Sequence, residues 1–156
     1  MGIATVAAPQ TLPDVKLAIK FNFAQTGNDS ITLSGTLVRP ANFIANGAPL
    51  IVDVGGVVTT FKLNAAGKVK NGNNSLTISL KGTKAATAKF MLKLTKGSFA
   101  TALAAVGLTK VNASGSAVSI PVGVIFNNQL WVVSVAQTYT AKKGKTGATK
   151  DQKLQL

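Results

Sequence analysis

The sequence predicts an all-β fold, a single eight-stranded antiparallel β-sandwich or flattened barrel, and three observations carry that expectation. Short segments alternate apolar and polar residues, clusters of Gly, Asn and Asp separate them, and helical spacing is confined to one brief stretch. With 156 residues, 46% of them hydrophobic, the chain has enough apolar material for one domain with a real core.

Residues 15–23 place Leu17, Ile19, Phe21 and Phe23 on one side and Lys16, Ala18, Lys20 and Asn22 on the other, the pattern of a strand with one wet face. The turn Thr26-Gly27-Asn28-Asp29 follows. A second strand, 30–38, alternates Ile31, Leu33, Gly35 and Leu37 with Thr32, Ser34 and Thr36, and stops where Arg39-Pro40 removes a ladder donor. Beyond a loop at 41–48, strands 49–54 and 57–63 flank Gly55-Gly56, a two-residue connection suited to positive φ and hence to a tight hairpin. Residues 64–74 are rich in turn formers and read as a loop. Strand 75–81 alternates Leu76, Ile78 and Leu80 with Thr77, Ser79 and Lys81; strand 85–94 turns Ala88, Phe90, Leu92 and Leu94 inward and Lys89, Met91 and Lys93 outward.

One helix is expected near 98–106, capped by Ser98, carrying Phe99, Leu103 and Val106 on one face and closed by Gly107. After the loop 110–115, strands 116–126 and 129–139 enclose Asn127-Asn128, a second two-residue hairpin connection. The chain thus divides into an N-terminal segment 1–14, a domain 15–139 and a basic tail 140–156. Residues of about 15–73 and about 75–147 repeat the same order of strands and turns, which predicts an internal duplication of a four-stranded unit sharing one core.

Composition restricts the chemistry. Lys and Arg total 17 against 4 acidic residues, a formal charge of +13; Arg39 is the sole arginine, and glutamate, histidine and cysteine are absent. Imidazole, thiolate and clustered-carboxylate reactions lose their reagents, no Gly-x-Ser-x-Gly elbow is present, and the glycine-rich pieces lack a phosphate loop's strand-loop-helix context. The expectation is therefore no enzyme, no cofactor and no metal. Asn28-Asp29 and Asp53 are the candidate calcium ligands, Asp53 with Lys62 the candidate isopeptide pair, and the sequons starting at Asn28, Asn73 and Asn112 match the glycosylation pattern. For Asp53, the simpler reading is a carboxylate bonded to its own turn.

No run approaches the roughly 18 apolar residues of a spanning helix. The most apolar window, 117–135, is interrupted by Pro121, Asn127, Asn128 and Gln129, so no membrane insertion is expected, and residues 1–13 lack the pattern of a secretory signal.

The lysines are the most informative feature. Lys16, Lys20, Lys89 and Lys93 fall opposite the apolar side of their strands, and Lys142, Lys143, Lys145, Lys150 and Lys153 load the tail, together forming a candidate polyanion-binding set. The competing reading is protection of sheet edges. Trp131 and Tyr139 share a parity and would form a stacking or contact surface if that parity faced solvent. Short Thr/Ser/Asn-rich strands, Gly-rich turns and a lysine-laden end resemble accessory β-modules of large bacterial secreted proteins, which implies a non-enzymatic structural or adhesion-type module, extracellular or on a cell surface. The alternatives are low-specificity binding of nucleic acid or acidic polysaccharide, and self-association into a shell or filament.

Overall fold

The computed structural model describes residues 9–38, 44–79, 87–126 and 129–151. The first strands are β1 (Gln10–Thr11), β2 (Lys16–Asn22), β3 (Asp29–Val38), β4 (Pro49–Val54), β5 (Val57–Lys62) and β6 (Lys68–Asn71). They are followed by β7 (Asn74–Ile78), β8 (Thr87–Gly97), β9 (Ala113–Phe126), β10 (Gln129–Lys142) and β11 (Thr146–Asp151). A single helical turn, α1 (Ala100–Leu103), runs into a 3-10 turn at Ala104–Val106 between β8 and β9.

Ten strands form one continuous antiparallel ladder in the order β5-β4-β9-β10-β11-β2-β3-β8-β7-β6, and β1 adds in parallel to β10. The two ends of the path, β5 and β6, are consecutive in sequence and joined by residues 63–67. The sheet is therefore a nearly closed barrel. Alternate residues of its strands, among them Leu17, Ile19, Leu33, Leu50, Val52, Phe90, Leu92, Val122 and Val124, fill the interior as one core.

This corrects the eight-stranded expectation and the sandwich form of it: nothing divides the ladder into two facing sheets. Strands were missed where their inward positions are small, polar or few. In β11 those positions are Gly147 and Thr149, which carry no apolar signal, and β6 contributes only Val69. Residues 146–151 thus belong to the middle of the sheet, between β10 and β2, not to a tail. The N-terminal boundary also moves, since Leu12 is buried and its N–H donates to Val132 O at 3.0 Å.

Exchanging β2–β6 with β7–β11 leaves the strand order unchanged when the path is closed from β6 to β5. The implied two-fold axis passes between β3 and β8 and between β4 and β9, with five strands separating these points on either side. The unit so related has five strands, where the sequence reading has four.

The Gly55-Gly56 hairpin forms as expected, with φ of 59° and 104° and Val54 opposite Val57. The helix is shorter than 98–106, and Ser98 is not its cap. Asp29 instead receives the Phe99 N–H on Oδ2 at 3.0 Å and the Asn22 N–H on Oδ1 at 2.9 Å, tying the β2–β3 turn to the helix start. Arg39-Pro40, Phe43, Leu80, Lys81, Asn127-Asn128 and Lys153 lie outside the described residues.

Candidate functional site

The barrel's outer surface has two unlike sides, centred on the two ends of the axis. Around β3 and β8 the outward residues are mostly lysines and hydroxyls, with Met91 and Val38 as exposed apolar exceptions. Register aligns Lys70, Ser75, Lys93, Thr32 and Ala18 in one row across β6, β7, β8, β3 and β2. The next row is Lys68, Thr77, Met91, Ser34 and Lys16. Lys89 opposite Thr36, Lys20 opposite Ser30, and Lys150 on β11 extend the array. With strands about 4.8 Å apart and about 3.4 Å per residue, Lys93 lies about 12 Å from both Lys16 and Lys20.

The structure thus brings Lys16, Lys20, Lys89, Lys93 and Lys150 onto one exposed face, and adds Lys68 and Lys70 from the turn-rich stretch 64–74. The alternation Lys68-Val69-Lys70 was the available signal. Lys142, at the end of β10, and Lys143 and Lys145, in the turn that follows, stand apart; Lys143 has φ 53° and its N–H donates to Asn112 Oδ1 at 2.7 Å.

All four aspartates serve the scaffold. Thr36 Oγ1 donates to Asp14 Oδ2 (3.1 Å), and Gly56 N–H to Asp53 Oδ1 (2.8 Å), as the turn reading of Asp53 expects. Asp29 holds the helix start, and Asp151 Oδ1 receives the Leu17 N–H (3.2 Å) and Gln137 Nε2 (2.6 Å). Asp53 stands opposite Val58 while Lys62 stands opposite Pro49, four residues along the hairpin, or about 13 Å, too far for a crosslink. Among the described residues no three His, Cys, Asp or Glu cluster as metal ligands would.

Trp131 and Tyr139 face inward, so neither offers a stacking platform; the outward parity belongs to Leu130 and Val132. Tyr139 stands edge-on to Phe21 with ring centres 6.3 Å apart, and burial raises its phenol above the usual tyrosine range.

At the opposite end of the axis the surface is apolar. Ile51, Ile125 and Leu130 form one row, and Val58, Asp53, Gly123 and Val132 another. Gly123 lacks a side chain, so the rows enclose a groove of about 580 Å³ that no lysine lines among the described residues. No described helix is long and apolar enough to cross a membrane. Comparison with protein-family models, curated proteins and solved structures finds no match for the chain.

Proposed function

We propose that this protein is a non-catalytic β-barrel module that holds an acidic polymer on the outer face of β11, β2, β3, β8, β7 and β6. One observation carries the reading: Lys16, Lys20, Lys89, Lys93 and Lys150 sit on β2, β8 and β11, strands that already have neighbours on both sides. Edge protection does not account for lysines there. Their concentration on one side, with the apolar groove on the other, gives a directed positive field. Such a module suits a structural or adhesive role in a secreted or cell-surface setting.

The test is binding of the full chain to heparin and to duplex DNA across a salt series. Affinity at physiological salt that falls steeply with added salt supports the reading. Lys16→Ala, Lys89→Ala and Lys93→Ala together reduce the log–log salt slope by about 2–3, whereas replacing Lys142, Lys143 and Lys145 does so less. Absence of binding at physiological salt rejects it. A second reading, self-association, is favoured by the exposed Val58, Ile125, Leu130 and Val132 around the apolar groove.

A further inference from the structure

The basic face is not uniform. Between β2, β3, β8 and β7 it dips into a groove of about 540 Å³, within the range of small-ligand sites. Lys16 and Lys89 flank this groove. Ser34, Thr77 and Ser79 line it with hydroxyls, and the half-exposed Met91 side chain supplies an apolar surface between them. Asp14 also lines it, its carboxylate positioned by Thr36 Oγ1.

A carboxylate at the border of a lysine-rich face, level with Thr36 and Lys89, works against a phosphodiester chain, because like charges at short range repel and the duplex backbone offers no hydroxyl donor to offset this. It is a good acceptor for the hydroxyls of a sugar ring, since a bond to an ionised acceptor is stronger than one between neutral groups. Charge spacing points the same way. Duplex DNA carries a charge every 1.7 Å or so along its axis, far denser than lysines about 12 Å apart with hydroxyls between them.

Resting on the acidic-polymer reading above, we infer that this groove is a subsite for one acidic sugar residue, and that the polymer is an acidic polysaccharide. Lys16 and Lys89 take the carboxylate or sulfate, Asp14 and the three hydroxyls take ring hydroxyls, and Met91 packs on the ring's C–H face.

The deciding experiment compares polygalacturonate, heparin and duplex DNA on the full chain and on Asp14→Asn. Asparagine accepts the left-handed backbone at this position (φ 57°) and keeps an oxygen for Thr36, so the fold is retained, which a thermal melt verifies. Asp14→Asn is expected to weaken both polysaccharides about three- to tenfold while leaving DNA binding unchanged or tighter. Ser34→Ala is expected to weaken the polysaccharides in the same direction. If Asp14→Asn tightens all three polymers alike, or if DNA displaces both polysaccharides at equal charge concentration, the sugar subsite is overturned while the acidic-polymer reading stands. If the parent chain binds none of the three at physiological salt, the acidic-polymer reading itself has failed.

Discussion

The hydroxyl of Tyr139 donates to the carbonyl oxygen of Thr109 at 2.6 Å, linking the inner face of β10 to the segment that follows the 3-10 turn. The ring is buried against Phe21, so the bond sits where water does not easily replace it. Tyr139→Phe keeps the packing and orphans the carbonyl. The expected loss is about 1–2 kcal/mol in urea unfolding, with an unchanged dependence on denaturant. A loss near zero would mean the carbonyl is resolvated.

The same phenol sets an alkaline limit. Its folded pKa lies above the usual value near 10, so the neutral form is preferred in the fold. That contribution is complete below the unfolded value and disappears as pH rises through the folded one. Because Tyr139 is the only tyrosine, tyrosinate absorbance reports this group alone. Its titration is expected above pH 10 or so and to coincide with loss of tryptophan emission from the folded state; an ordinary titration with the fold intact would contradict its burial.

Gly55 and Gly72 have nearly equal positive φ, 59° and 63°, but different surroundings. A Cβ at Gly55 would lie 2.7 Å from Leu103 Cδ2, while nothing lies within 4 Å at Gly72. Gly72→Ala is expected to cost about 1–2 kcal/mol from the left-handed backbone alone. Gly55→Ala costs that plus a packing clash, about 1–3 kcal/mol more. Equal melting temperatures for the two variants would contradict the close approach of the hairpin turn to the helix.

Deleting residues 143–156 removes β11 and with it both ladders that connect β10 to β2. It also leaves the Ile19 N–H without Thr149 Oγ1, its partner at 3.0 Å. The shortened chain is expected to lose cooperative thermal unfolding; a sharp melt near that of the full chain would mean these residues are dispensable.

If the apolar groove mates with a second copy, Leu130→Ser with Val132→Ser shifts sedimentation toward the monomer without lowering the melting temperature. A full chain that remains monomeric at high concentration removes self-association from consideration.

Much of this surface was legible because period-two alternation survives wherever the inward residue is large. Lys16 and Lys20 could be set opposite Leu17, Ile19 and Phe21 directly, and Lys89 and Lys93 opposite Phe90 and Leu92. The parity of Trp131 was not legible, since Leu130 and Val132 are equally apolar; both line the outer groove beside Gly123. The strand Thr146–Asp151 was hidden for a steric reason. Tyr139 Oη lies 2.5 Å from where a Cβ of Gly147 would stand, so the large ring on β10 leaves no room for a side chain at Gly147, diagonally across the ladder and opposite Ala141. The placement of Asp14 was not legible, because it depends on a fold that returns residues 13–14 to Thr36, a contact that local sequence does not encode.

The place of β11 in the middle of the sheet has a consequence for the order of events during synthesis. Asp151 meets Leu17 across a separation of 134 residues, so the ladder that connects the first half of the barrel to the last hairpin cannot form until the segment ending at Asp151 has left the ribosome. Until then β2 and β10 each present an unpaired edge. Contacts this distant make for folding on the order of milliseconds to seconds, slower than helical domains of similar size. A newly made chain therefore spends that interval with two strands able to pair with the wrong neighbour.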